Sequence, residues 1–343
     1  MQCSDWFRHE VTVHLTRTHL IEEAIIVSVN RQLDPTHPVF RILRPHWQKT
    51  LALNGSARGV LVPSVILKII GFEKEQALSF IREEYRTFDF KNSYVPEDLS
   101  RRGFPPEKLD TPKFHNYAYA RCINSMWNKI REYVQDILSL SYTGDDADKQ
   151  VENDTSIQDW CREMRCPDGA DLREFPKITT FKELVDCVTM CIHIASPQHT
   201  AVNYLQDYYQ DFVINKPSCL FTEPPRSLDQ LLKYTEKDLV EALPINHTHE
   251  WLLSSHVPNL LSFKPNPQTE TLIGGAFTAW NIYDKKVERS EMNQGKTDAL
   301  LKFYQALQAT DEEFEKFAKD KDDFHDIPYD VLESNTNAVS ILI

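Results

Sequence analysis

Glycine is scarce: 9 residues among 343, well below the usual share of about 7%. A β-rich or α/β fold with many tight turns needs more of it, so the composition leans helical. Basic residues are in deficit, 38 Lys and Arg against 51 Asp and Glu, for a net charge of −13. That balance excludes a broad electropositive surface for nucleic acid or anionic lipid and leaves room only for a local basic pocket. Cysteine is present, at positions 3, 122, 161, 166, 187, 191 and 219, but the set is odd and lacks a CxxC pair, which fits buried thiols in a reducing compartment better than a disulfide frame. The N-terminal run MQCSDWFRHEVTVHL has no apolar core of signal-peptide length, and no uninterrupted apolar run is long enough to cross a bilayer, so a cytoplasmic protein without a transmembrane segment is expected.

What remains, 41% hydrophobic and 26% charged residues, is the balance of a globular chain. Apolar residues recur at three and four from Val11 to Leu33, which predicts a long buried helix ended by Asp34-Pro35. A second helix is expected over 39–53, a break at Asn54-Gly55-Ser56, and resumed helix over 57–72. The segment 87–112 reads as ordered connection with little regular structure, 117–141 as helix, 142–155 as a polar loop, and 157–164 and 180–212 as helix. Ser227 with Gln230 and Thr310 with Glu313 fit the capping box. No flexible linker divides the chain, so 1–343 reads as a single, all-α domain.

The histidines carry the first chemical signal. His199 precedes Asn203 by four in SPQHTAVN, about 40° apart on an α-helical face, so both reach one point. His14 and His19 are five apart, about 140° on a regular α-helix and too wide for one ion. A local π-bulge would bring them together, and such bulges occur mostly at functional sites. Three imidazoles with an amide oxygen suit divalent iron or manganese with exchangeable positions, whereas zinc favours a closed tetrahedron or three ligands and a water; spacing leaves that choice open. The apolar ending ILI suits a chain end drawn into the core with its charge neutralised by a cation, or an apolar tail packed on a helix.

HEVTVHLTRTHLIEEAIIVSVNRQLDPTHPVFRILRPHWQKTLALNGSAR resembles the iron-binding segment of lipoxygenases. FPKITTFKELVDCVTMCIHIASPQHTAVNYLQDYY, preceded by SIQDWCREM, is similar to the second metal-binding segment, and NAVSILI to the C-terminus of that family. The three occur in the family's order and the resemblance covers most of the chain. It implies that His14, His19 and His199 bind one non-haem iron ion, manganese being the second choice, with Asn203 as an adjustable ligand and Ile343 supplying its terminal carboxylate. Glu10 and Gln206 fall where the family has a hydrogen-bonded pair linking the metal-binding helix to the substrate cavity, and His9 and Glu23 fall on family positions too. Ala57 stands where the family uses Ala or Gly to bias the side of oxygen attack, its alanine resembling members that make S hydroperoxides. Trp6, Leu15, Leu53 and Leu61 match cavity-lining positions; Arg58 is either structural or a carboxylate partner.

The implied activity is that of a dioxygenase: a hydrogen atom leaves the bis-allylic carbon of a 1,4-pentadiene in a polyunsaturated fatty acid, dioxygen adds, and a hydroperoxide results. The same site would serve a hydroperoxide isomerase or a natural-product oxygenase, and a truncated, non-catalytic relative is the non-enzyme alternative. Family members carry further helices before the first histidine motif, and many carry an N-terminal β-barrel. Neither matches here, so the resemblance implies the C-terminal portion of the catalytic domain, with apolar surface to be hidden by rearrangement, by a partner or in a homo-oligomer.

Overall fold

The computed structural model describes residues 6–210, 212–214, 216–262, 264–286, 291–321, 323 and 329–343; Cys3 lies outside them. Their regular structure is helical. The sole β pairing among them is an isolated antiparallel bridge between Thr271 and Ala338. The expected first helix forms as α1 (Arg8–Leu20), which is π-helical throughout, running straight into α2 (Ile21–Gln32). The expected 180–212 helix forms as α9 (Phe181–His193), a π-helical turn α10 (Ile194–Gln198) and α11 (His199–Tyr209). Pro197 sits inside that turn, where its missing amide and its ring fit a widened ladder better than a regular one.

Between these lie α3 (Pro38–Leu43), α4 (Thr50–Ser56), the π-helical α5 (Ala57–Ile66), α6 (Lys74–Arg86), α7 (Ala118–Leu138) and α8 (Thr155–Arg165). After α11 follow α12 (Thr248–Leu261), α13 (Leu272–Lys286) and α14 (Glu291–Gln308). From Leu184 to His193 every residue of α9 is buried, so this helix is the axis of the core. It packs on α7, which also receives α14, while α2 packs on α8. The main cluster joins Ile21, Ile25, Met126, Ile130, Trp160, Val188 and Ile192, all at most 1% exposed. A smaller cluster of Trp6, Phe7, Val11, Ile66, Ile69 and Val257 packs around the start of α1.

Several local expectations differ from the structure. The 39–53 helix is split by a 3₁₀ turn at Arg44–Trp47, where Pro45 interrupts the ladder. No break occurs at Asn54-Gly55-Ser56: α4 passes directly into α5, with the Asn54 side chain engaged by His19 and Glu23 instead of by a local turn. As a result Thr50–Ile69 is a described helix long and apolar enough, by length and composition, to cross a membrane. It is nevertheless tied to the protein through buried Asn54 and an Arg58–Glu23 ion pair. The 87–112 connection holds a helix at Val95–Arg101, started by Pro96 with Glu97 and Asp98 in its first turn, and the 142–155 loop holds another at Ala147–Glu152. Ser227 accepts from Gln230 N as expected, but Gln230 Oε1 accepts from Arg226 N. The Thr310–Glu313 box does not form: Thr310 donates to Ala306 O at 3.2 Å, and Glu313 is drawn to Ser125 and Lys129.

Asp154 caps α8, accepting from Ser156 N and Ile157 N at 3.1 and 3.2 Å, and also accepts from Tyr142 Oη at 2.8 Å and contacts His37 Nε2 at 3.2 Å. Partial burial pushes its carboxyl up, but the bonds from His37, Tyr142 and Ile157 outweigh that and hold it at about 2. Because the folded value is depressed, the stabilisation is complete above the unfolded carboxylate range, near 4, and is lost as pH falls through about 2. Asp154→Ala is expected to lower the urea unfolding free energy at pH 7 by about 1–2 kcal/mol, with the difference from the parent shrinking between about pH 4 and 2. A difference independent of pH would reject this account.

Candidate metal centre

The π-helical winding of α1 has a direct geometric effect. Its ladder closes over five residues instead of four, so positions five apart lie about one turn apart on the same side. His14 and His19 are brought together in this way, Nε2 to Nε2 at 3.2 Å. Widening the ladder frees carbonyls, and two are taken up by hydroxyls: Thr16 donates to Val11 O at 2.6 Å and Thr18 to His14 O. From the opposite side α11 delivers His199, whose Nε2 lies 3.4 Å from His14 Nε2. The three buried histidines each place one nitrogen within 4.8 Å of the others.

Burial holds His14 at about 4 and His19 at about 3, the latter also lowered by His14; His199 is pushed well down by burial and then by His19 and His14. All three are therefore neutral near pH 7 and present lone pairs. Such nitrogens at these separations repel one another unless a cation lies among them.

Each ring is oriented from behind. Asn54, 1% exposed, clamps His19 from both sides: Oδ1 accepts from His19 Nδ1–H at 2.8 Å and Nδ2 donates to His19 O at 2.8 Å. Its Nδ2 also donates to Glu23 Oε2 at 2.9 Å, and Glu23 pairs with Arg58. His14 Nδ1 meets Glu10 Oε2 at 3.3 Å, where the carboxylate accepts its proton and leaves the Nε2 lone pair inward. Gln206 lies 2.8 Å from the same Nδ1 through Nε2 and 3.3 Å from Glu10 Oε2. Turning that amide over presents the orphaned Gln206 Oε1 to Nδ1–H instead, with the same consequence. Burial raises the Glu10 carboxyl, while His9 opposes the shift. His9 contacts Val202 O at 2.8 Å, linking α1 to α11.

The donor set passes a test of fit to a metal ion. Asn203 is 3% exposed, and its Oδ1 is a buried acceptor without a hydrogen-bond partner, one turn beyond His199. The chain terminus arrives here as well: the Ile343 main chain is hydrogen-bonded to His199. The last residues are threaded into the core, with Ile341 0% and Leu342 5% exposed. The tail is held by Ala338 N to Thr200 Oγ1 at 3.0 Å, Val339 N to Glu270 O at 2.8 Å, and His46 Nδ1 to Val339 O at 2.6 Å.

A cavity of about 360 Å³ opens beside the imidazoles, lined by Glu10, His14, His19 and Ile343 at one end and by side chains of α4, α5 and α12 elsewhere. Of the residues expected to face substrate, Leu15, Leu53, Ala57 and Leu61 line it. Trp6, 1% exposed, packs instead with Phe7, Val11 and Ile66 in the adjoining core, and Arg58 pairs with Glu23 on a largely exposed side chain. Asn54 was not singled out by the sequence. Its one signal, a polar residue inside an otherwise apolar helical pattern, is masked by the Gly-Ser that follows.

Three neutral imidazoles, a buried amide oxygen and a chain terminus converging beside an apolar cavity form a donor set that suits a transition-metal ion. The family model for lipoxygenase matches residues 1–332, and the chain belongs to the lipoxygenase family, whose members use non-haem iron or manganese. It is 56% identical over 263 residues to the manganese lipoxygenase of Pleurotus sapidus, covering 76% of this chain and 41% of that protein. It is 32% identical over 224 residues to linoleate 9S-lipoxygenase 1 of Hordeum vulgare, covering 63% of this chain and 25% of that protein. A crystal structure of a fungal lipoxygenase from Fusarium graminearum superposes with a TM-score of 0.91 at 41% identity, covering 100% of this chain and 55% of that one. The chain thus spans about half, or less, of the length of the proteins it matches.

Asn54→Ala removes both bonds to His19 and is expected to cost about 1–3 kcal/mol in urea unfolding, because a buried ring nitrogen and a carbonyl lose their partners. Asn54→Asp keeps the acceptor for His19 Nδ1–H but sets a buried carboxylate against the His19 carbonyl and Glu23, so it should not recover the loss. A change below about 0.5 kcal/mol for the alanine variant would mean that the clamp does not form.

Proposed function

We propose that this chain forms the metal-binding part of a lipoxygenase-type dioxygenase that converts a 1,4-pentadiene unit of a polyunsaturated fatty acid and dioxygen into a hydroperoxide. The observation that carries this reading is the group of three buried, neutral imidazoles, two of which, His14 and His19, line an apolar cavity. Family membership supports it. His14, His19 and His199 are the imidazole ligands in this reading, with Asn203 Oδ1 as a weaker ligand and Ile343 giving its terminal carboxylate. Bound there, a redox-active ion supplies the one-electron oxidation that lets hydrogen leave the bis-allylic carbon. Iron and manganese both suit the donors; the name of the 56% identical relative supports testing manganese first.

The chain's own residues do the rest. Glu10 Oε2 accepts from His14 Nδ1–H and Asn54 Oδ1 from His19 Nδ1–H, fixing both tautomers so that each Nε2 points at the ion. Leu15, Leu53 and Leu61 line the apolar side of the cavity and exclude water around a pentadiene. Ala57, the smallest side chain on that wall, leaves open the face on which dioxygen attacks, and the resemblance assigns it to S hydroperoxides. A volume of about 360 Å³ falls in the range of small-molecule sites, roughly 300–1,000 Å³.

His199→Ala, and separately removal of Ile343, are expected to reduce bound iron plus manganese from about one ion per chain to a minor fraction, read by elemental analysis of folded protein. Unchanged stoichiometry would reject the ligand set. Metal-replete protein incubated with linoleate or arachidonate should generate conjugated-diene absorbance together with oxygen uptake. Metal retention with neither signal points instead to a different unsaturated substrate, to hydroperoxide rearrangement or to a non-catalytic role.

A further inference from the structure

Away from the imidazoles, α3 and the Arg44–Trp47 turn form one wall of a cleft of about 530 Å³ whose other walls come from α7, α13 and α14; it shares no lining residue with the cavity described above. Among the described residues its charged lining groups are Arg41, Arg44 and Lys296, with no carboxylate beside them. Among the described residues none of the three cations has an ion-pair partner. Asp34 feels Arg41, but its carboxylate is engaged by Thr36 through the backbone amide at 2.8 Å and the hydroxyl at 2.6 Å. Partial burial, and then Arg41, hold Lys296 below the ordinary lysine range. Three cations lining one cleft, two of them close enough to repel, without a described acid among them are unexpected in a chain of net charge −13.

The rest of the cleft is mostly apolar, with hydroxyls only from Thr36, Tyr133, Ser141 and Tyr283 among the described lining residues. Ile42 and Leu300 are each 4% exposed at its wall, while Ile282 and Met292 lie 47% and 51% exposed at its edge. Charge and shape therefore ask for a ligand with an anionic head and an apolar tail. A carboxylate would offset one of the three positive charges, whereas a phosphomonoester carries about −1.5 to −2 near pH 7 and offers three acceptor oxygens to two guanidinium forks. We propose that the cleft bounded by Arg41, Arg44 and Lys296 is a binding site for an amphipathic phosphomonoester, its phosphate between the cations and its hydrocarbon along Ile42 and Leu300.

The test is calorimetric titration of the full chain, below each probe's aggregation concentration, with dodecyl phosphate, ethyl phosphate and dodecanoate. Dodecyl phosphate should bind at least tenfold more tightly than either of the others. Arg41→Gln combined with Lys296→Gln should weaken it at least tenfold, and Arg41→Lys, which retains charge but loses the fork, by an intermediate amount. Ile282→Ser should weaken dodecyl phosphate while leaving ethyl phosphate unchanged. Because these side chains are at least partly exposed and the cations unpaired, the variants should melt with the parent, so a lost affinity reports the site and not the fold. Equal affinity for dodecanoate would overturn the phosphate assignment, and equal affinity for ethyl phosphate would reduce the site to a free-phosphate pocket and overturn the amphiphile. Parent-like binding by the double variant would place the ligand elsewhere and overturn the proposal.

Discussion

Three neutral imidazoles whose nitrogens lie within 4.8 Å of one another inside the core impose a demand on everything around them. Lone pairs at that spacing repel, the rings have left water, and each must still be held in one tautomer. The backbone answers first. α1 winds as a π-helix so that positions 14 and 19 face the same way, and α10 widens at Pro197 just before His199. Such winding weakens the regular ladder, and the Thr16 and Thr18 hydroxyls recover carbonyls it releases. The side chains answer next: Asn54 behind His19 and Glu10 behind His14 supply acceptors on the far side of each ring, and Gln206 Nε2 donates to Glu10 Oε2.

The C-terminus closes the arrangement, and its position depends on several segments far apart in sequence. Ala338 and Val339 are held by Thr200 on α11, by Glu270 beside α13 and by His46 in the 3₁₀ turn after α3. Ser196, in the π-helical turn before His199, donates to Ala338 O as well. The segment that places one imidazole therefore also anchors the chain end. The buried Ile341 and Leu342 thus bring Ile343 beside His199 and the imidazole cluster.

Much of this is legible in the sequence where the signal is local. Spacings of five and four between His14, His19, His199 and Asn203 point to a distorted and a regular helical turn, and those turns are what forms. The low glycine count and the apolar periodicity carry the helical fold. What is not legible depends on contacts between distant segments. Asn54-Gly55-Ser56 reads as a break because those residues prefer turns in isolation. In the folded chain Asn54 is instead the partner of a histidine 35 positions earlier, and the helix continues through it. Thr310 and Glu313 likewise have the spacing of a capping box, but Lys129 and Ser125 of a neighbouring helix compete for the glutamate and win. The cationic cleft has no local signature, since Arg41 and Lys296 meet only when α3 and α14 pack against α7.

The two recesses are opposite in their order of burial, and that order decides which end of an amphiphile each accepts. In the imidazole cavity the titratable groups are buried, Glu10 at 4%, His14 at 5% and His19 at 6% exposure, beside equally buried apolar neighbours such as Val11 at 1%, while Val60 at 64% and Leu260 at 59% face out. Apart from the Ser56 hydroxyl, a molecule entering it passes apolar side chains before it meets a titratable group, which favours hydrocarbon over a charged head. In the other cleft the guanidiniums of Arg41 and Arg44 are exposed and the deepest surface is Leu300 and Ile42. An anionic head can be captured there while still partly hydrated, and only the tail needs to leave water. The same kind of molecule would thus present different ends to the two sites, so the cleft and the cavity need not compete for one binding pose.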